Sequence, residues 1–131
     1  MKPYKRAITY GTFDLFHMGH LRLFERIKEI AEELVVAVSS DAFNAIKGKI
    51  CVIPFEDRKH IIAALRVVDQ VIDENSWEQK IEDIQKLGCD LFVMGDDWKG
   101  EFDFLTPYCH VLYLPRTEGV SSSEIKASIQ K

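Results

Sequence analysis

The sequence has no apolar run long enough to cross a bilayer. Residues 34–38 form one of its longest such runs, and a span needs roughly 18 residues. The first residues lack the apolar segment of a secretory signal, so neither membrane insertion nor export is expected. Cysteine is scarce. Cys51, Cys89 and Cys109 are odd in number, widely spaced and form no CxxC pair, which argues against a disulfide framework or a zinc site and fits free thiols in a reducing cytoplasm. A surplus of positive charge is also missing: 17 Lys and Arg stand against 21 Asp and Glu, a formal charge of -4. Nonspecific binding to nucleic acid or an anionic membrane needs a dense excess of Lys and Arg, so neither is the expected main activity. A small anionic ligand stays open, since a few placed cations can hold it. Linkers, repeats and low-complexity segments are absent, and 131 residues with 47% apolar content suffice for one domain, residues 1–131, with a core of its own.

Short runs of branched and aromatic residues predict buried strands at 7–10, 34–39, 91–94 and 111–114, with a weaker one at 70–72. Helical periodicity lies between them. Over 21–32, Leu23, Phe24, Ile27, Ile30 and Ala31 share one face; Pro54 can open a second helix with Ile61, Ile62, Leu65 and Val68 inward. A third pattern runs over 77–87 through Ile81 and Ile84, with Gly88 as a stop and Trp77 read as core or interface. Strands alternating with helices imply an α/β fold: a Rossmann-like open parallel sheet with helices on both faces. Ligands bind such sheets beyond the carboxyl ends of the strands, which directs attention to the residues after Tyr10, Ser39, Met94 and Leu114.

After the first strand the chain reads YGTFDLFHMGH and then turns helical. Gly11 permits a tight turn, Gly19 permits close approach of a ligand, and the following helix start suits phosphate. His17 and His20, three positions apart, point into one space and can donate to oxygens that gain charge in a transition state. The plainer reading makes His17 a cap and His20 a surface residue. Zinc is the weaker reading, because His60 and His110 stand in no spacing relation to this pair. Near the other end, Arg116, Thr117, Glu118, Gly119, Val120, Ser121, Ser122 and Ser123 again lie between a strand and a helical pattern. Ser121 and Glu124 fit a capping box, while Arg116 and Gly119 add a planar cation and a flexible backbone suited to polyphosphate. Lys47 and Lys49 flank Gly48 in a stretch with little periodicity; they are either solvated or, if the loop closes, able to neutralise a triphosphate. Asp96 and Asp97 follow the strand ending at Met94, as turn residues or as contacts to ribose or metal.

HxGH after a first strand, with RTEGVSSS before a last helix, resembles the nucleotidyltransferase superfamily of cytidylyltransferases. The blocks WEQK, LFVMGDDWKGEFDFL and YLPRTEGVSSSEIK, which fall in order along nearly the whole chain, are most similar to the bacterial glycerol-3-phosphate cytidylyltransferase family. The resemblance implies a reaction of CTP with sn-glycerol 3-phosphate that yields CDP-glycerol and pyrophosphate, with Mg²⁺ accompanying the triphosphate, for wall teichoic acid or capsule synthesis. It implies that His17, His20, Lys49 and Arg116 are catalytic, and that Thr12, Phe13, His17, Met18, Gly19, His20, Lys49, Asp97 and the segment from Arg116 through Thr117, Glu118, Gly119, Val120, Ser121 and Ser122 to Ser123 hold the nucleotide. Lys47 and Lys80 would hold the acceptor, Asp14 and Arg66 match positions in or beside the site, no metal ligand is assigned among the side chains, and a homodimer is implied. Three Ser stand where the family more often has Ser-Thr-Thr, Gly48, Ile50 and Cys51 make the lysine loop less basic than usual, and Glu124 stands where a lysine is frequent. Another small phosphorylated alcohol as acceptor, ATP in place of CTP, and a nucleotide-binding regulatory module without turnover are the alternatives.

Overall fold

The computed structural model describes residues 2–115. Five parallel strands form one sheet: β1 (Tyr4–Gly11), β2 (Ala31–Ser39), β3 (Gln70–Glu74), β4 (Leu91–Gly95) and β5 (His110–Leu114), in the order β3-β2-β1-β4-β5. Four helices connect them: α1 (Met18–Ile30), α2 (Asp41–Ile46), α3 (Phe55–Ala63) and α4 (Gln79–Leu87). The expected α/β sheet is the observed one, and each expected strand is present with slightly wider limits. No helix among the described residues is long and apolar enough to cross a membrane.

The alternation of side chains along each strand divides the core in two. Ala7, Leu34, Val36, Leu91 and Val93 face Phe24 and Ile27 of α1 and Ile62 of α3. Ile8, Tyr10, Val35, Ala37, Phe92 and Met94 face Ile84 of α4 with Phe102 and Leu105, which cap and end a 3₁₀ turn between β4 and β5. Central strands buried on both faces explain why their sequences read as continuous apolar runs. The chain builds outward from β1 to β2 and β3, then crosses to β4 and β5 on the other side. Connections therefore diverge at the carboxyl ends of β1 and β4, and that divergence opens a crevice.

Several local expectations shift. The helix predicted over 21–32 is α1, which begins three residues earlier because His17 caps it and ends at Ile30 because Ala31 already pairs with Tyr4 as strand. Ile61 is exposed rather than inward, while Ile62 is fully buried. α3 ends at Ala63, so Leu65 and Val68 reach the core from the connection that follows. The stretch before Lys47, which lacks periodicity, is helical as α2, started by Ser40, whose hydroxyl accepts from the Phe43 N–H at 3.1 Å. α4 begins at Gln79, after Trp77, and stops where Gly88 takes a left-handed conformation at φ 66°.

Candidate active site

Beyond the carboxyl ends of β1 and β4 lies a cleft of about 420 Å³. It is lined from β1 and the turn after it by Tyr10, Gly11, Thr12, Phe13, Asp14 and His20, and from the loop after α2 by Lys47, Lys49, Ile50 and Cys51. Glu74, Trp77 and Lys80 complete one wall, and Met94, Trp98 and Phe102 the other.

The turn after β1 is held in an unusual shape. Phe13 and Leu15 both have positive φ, 53° and 50°, values that side chains rarely adopt. The Phe13 ring folds back over Gly11, where a Cβ would stand 2.7 Å from the ring. Gly11 is thus needed for space under Phe13; it ends a strand and does not itself turn. The same ring meets His20 edge-on, with centroids 5.3 Å apart.

His17 caps α1, its Nδ1 accepting from the Gly19 N–H at 3.0 Å, and His20 reaches back so that its Nδ1 accepts from the His17 N–H at 3.3 Å. The two rings replace the Ser and Glu of an ordinary capping box and stack with centroids 3.8 Å apart. Because both Nδ1 atoms accept, a neutral imidazole at either position carries its proton on Nε2. Burial, and then the neighbouring His17, bring the His20 pKa down to about 4 against an opposing pull from Asp14, so His20 is a neutral donor at physiological pH. His17 is thus a helix cap, as the plainer reading has it; it does not line the cleft and its Nε2 is buried, whereas His20, which does line the cleft, is fixed by the same arrangement.

The lysines come from separate elements to one place. Lys80, 2% exposed, forms an ion pair with Glu74 at 2.9 Å, boxed by the rings of Tyr10, Trp77 and Phe102 at 4.7–5.3 Å from its ammonium. Glu74 accepts from the Ser39 hydroxyl at 2.7 Å, and that hydroxyl accepts from Lys47 Nζ at 3.3 Å. Lys47 lies over Phe43 and Trp77, at 4.5 and 5.5 Å. Burial holds the Lys47 pKa below the usual lysine value, with the charges of Lys49 and Lys80 adding to the effect and Glu74 opposing it. Trp77, expected in core or interface, is not in the core: it is a partly exposed wall shared by both ammonium groups.

Two buried residues that carried no sequence signal frame the site. Arg58 on α3 donates to the carbonyls of Ile53, Thr12 and Ser39 and to Asp41 Oδ1, at 2.6–2.9 Å, joining four segments at the cleft edge. Asn44 on α2 accepts from the Thr12 hydroxyl at 3.1 Å and donates to Cys51 Sγ at 3.2 Å. Asp14, buried, accepts from the N–H groups of Val52 and Ile53 at 2.8 and 2.9 Å, so it anchors the end of the lysine loop. Glu74 was within reach of the strand-end rule, since it closes β3 at the same sheet edge as the ends of β1, β2 and β4.

The remaining expected residues fall elsewhere. Met18 and Gly19 form the first turn of α1, with Met18 half exposed, and neither lines the cleft. Asp97 is exposed in the 3₁₀ turn after β4, outside the lining. Arg66 is exposed in the connection leading into the amino end of β3, also outside it. Arg116, Thr117, Glu118, Gly119, Val120, Ser121, Ser122 and Ser123 lie outside the described residues. Among the described residues no group of three or more His, Cys, Asp or Glu is placed to hold a metal ion. A dianionic group meeting Lys47 and Lys80, beside the Nε2–H donor of His20 at a helix start, is the chemistry this cleft can provide.

Comparison with known proteins agrees in fold and family. The cytidylyltransferase-like family profile matches residues 8–128. A glycerol-3-phosphate cytidylyltransferase of Bacillus spizizenii is 55% identical over 122 residues, 93% of this chain and 95% of its own length. One from Staphylococcus aureus is 50% identical over 125 residues, 95% of each chain. The crystal structure of a lipopolysaccharide core biosynthesis protein from Thermoplasma volcanium superposes with a TM-score of 0.78 at 24% identity, over 88% of this chain and 99% of that one, a likeness of fold.

Proposed function

The chain belongs to the cytidylyltransferase-like family, and from there we propose that it transfers CMP from CTP to sn-glycerol 3-phosphate, releasing pyrophosphate and forming CDP-glycerol. The observation that carries the reading is the meeting, in one cleft, of a neutral His20 with two lysines joined to one carboxylate, Lys80 directly and Lys47 through the Ser39 hydroxyl. Transfer between two phosphates needs a catalyst that positions them and offsets their charge; no covalent nucleophile is required. Burial raises the pKa of Cys89 to about 12 and of Cys109 to about 11, so neither thiol is a nucleophile at neutral pH.

In this reading an oxygen of the acceptor phosphate attacks the α-phosphorus of CTP in line, and the bond from that phosphorus to the bridging oxygen breaks as pyrophosphate leaves. The Nε2–H groups of His17 and His20 donate to the equatorial oxygens of the α-phosphate, where charge grows. Lys47 and Lys80 hold the acceptor phosphate. Lys49, on the same loop, serves the triphosphate together with Arg116 and residues 117–123. Thr12 and Phe13 border the nucleotide through the turn that Asn44 and Gly11 shape. Magnesium enters as part of the substrate, the magnesium complex of CTP. The reading includes a cytoplasmic location, a homodimer and a supply of CDP-glycerol for a wall or capsular polymer; sedimentation checks the dimer.

The test is mass detection of the CDP-linked product from CTP, Mg²⁺ and a mixture of phosphorylated alcohols. CDP-glycerol is the expected product. Product from another alcohol, or ATP outcompeting CTP, would replace the substrate assignment. Tight CTP binding with no pyrophosphate release from any acceptor would replace the enzyme by a nucleotide-binding module.

A further inference from the structure

Glu74 has no assigned part in the transfer, yet it joins the two lysines. It is 3% exposed and lines the cleft at the end of β3. One carboxylate oxygen accepts from Lys80 and the other from Ser39. A buried ion pair gives little net stability over an apolar pair of similar size, so stability alone is a weak reason for charges here. The arrangement instead has direction. The Ser39 hydroxyl has a single proton, and spending it on Glu74 turns a lone pair toward Lys47 Nζ, 3.3 Å away.

We propose that Glu74 is a positioning residue for the acceptor, holding the Lys80 ammonium directly and the Lys47 ammonium through the Ser39 hydroxyl, so that both meet one phosphate group. This rests on the reading of Lys47 and Lys80 as the acceptor side of the cleft. The cluster carries two ammonium groups on one carboxylate, leaving a positive surplus that a phosphate monoester completes. An amide at position 74 keeps the shape but breaks the relay. If its oxygen faces Lys80, its NH₂ faces Ser39, and the hydroxyl must then accept there and aim its proton at Lys47. Lys47 then loses its acceptor and Lys80 keeps only a neutral one in place of its ion pair, both from one substitution.

The experiment measures KM for glycerol 3-phosphate and for CTP in E74Q, S39A, K47A and the S39A/K47A double variant. A charge-assisted hydrogen bond to each lysine corresponds to roughly 10- to 100-fold in affinity, so E74Q should raise the acceptor KM by about that factor and leave the CTP KM within about threefold. S39A, which cuts off only Lys47, should raise the acceptor KM by about five- to tenfold, and the double variant should be no worse than K47A, since both act on one contact. An E74Q protein with an unchanged acceptor KM, or with both KM values raised alike, overturns the proposal. If E74Q does not fold, additive effects of S39A and K47A overturn it and their non-additivity supports it. Product detection on the unsubstituted protein, with calorimetric titration of the same variants with inorganic phosphate, separates the two layers: failure of the unsubstituted protein to form CDP-glycerol refutes the acceptor assignment, whereas equal phosphate affinity in E74Q and the unsubstituted protein refutes the positioning role.

Discussion

Replacement of Arg58 by lysine tests whether the cleft depends on a buried fork rather than on a charge. The guanidinium is 1% exposed and makes four hydrogen bonds, to Ile53 O at 2.9 Å, Thr12 O at 2.7 Å, Ser39 O at 2.8 Å and Asp41 Oδ1 at 2.6 Å. An ammonium on a flexible stem can serve one or two of these positions, which leaves two or more carbonyls without a donor. The ion pair itself contributes little, because Asp41 is 54% exposed and water screens it. The cost comes from the carbonyls. An unsatisfied buried acceptor costs about 1–3 kcal/mol; Ser39 O loses a fully buried bond, while Thr12 O and Ile53 O can regain some water at the cleft edge. The sum is about 3–5 kcal/mol, a large share of the roughly 5–15 kcal/mol that holds a domain together. Urea denaturation of the unliganded protein reads it as a lowered midpoint with an unchanged slope, and thermal melting as a fall of about 10–20 °C. Asp41→Asn, which leaves the three carbonyl bonds intact, should cost less than about 1 kcal/mol. Equal losses in the two variants, or a loss under about 1 kcal/mol in Arg58→Lys, would show that the carbonyl network is not what holds the four segments.

The other predictions concern the histidines, the lysine and the turn. His20, with its pKa near 4 in the fold and near 6.5 when unfolded, binds more protons unfolded between those values; stability is therefore complete above about pH 6.5 and falls as pH drops toward 4. NMR titration of its ring should show a midpoint near 4, and a midpoint near 6.5 would show that burial and the neighbouring His17 do not hold it down. His17→Asn keeps a good helix cap, so stability should stay within about 1 kcal/mol while kcat falls by roughly a hundredfold or more, the cost of losing one transition-state donor; an unchanged kcat would return His17 to capping alone. Lys80→Gln should raise the glycerol 3-phosphate KM by about 30-fold or more with little change for CTP, and parallel changes in both would contradict the division of the cleft. Gly11→Ala drives a Cβ against the Phe13 ring at 2.7 Å and should cost about 1–3 kcal/mol in urea denaturation; no loss would show that the ring moves freely.

Much of the fold was legible because central parallel strands are buried on both faces and therefore read as plain apolar runs, as at residues 34–38. Helix limits were less legible, since they depend on contacts outside the helix: α1 starts on an imidazole cap and ends where β1 claims Ala31. In the site, the residues named from the sequence were those beside glycines at element boundaries, such as His20 next to Gly19 at the start of α1, and Lys47 and Lys49 flanking Gly48 after α2. Arg58, Asn44 and Ser39 escaped because each acts through long-range bonds with no local pattern; Arg58 reaches carbonyls on three other segments from the middle of a helix. The place of Trp77 between two cations was hidden for the same reason, since only the meeting of α2, β3 and α4 shows it.

The formal charge of -4 and a site for two phosphate-bearing substrates are reconciled by how the cations are restrained. An exposed lysine cluster would attract any polyanion and be screened by salt, whereas Lys80 is enclosed by three rings and a carboxylate, and Lys47 is directed by a hydroxyl. Elsewhere in the described residues, Arg6, Lys28 and Lys59 are taken up in ion pairs with Glu33, Asp69 and Asp73. Glu74 follows the same logic: a negative charge inside an anion site weakens bare attraction but fixes where the two ammonium groups point, and geometry rather than total charge then decides which phosphate is held.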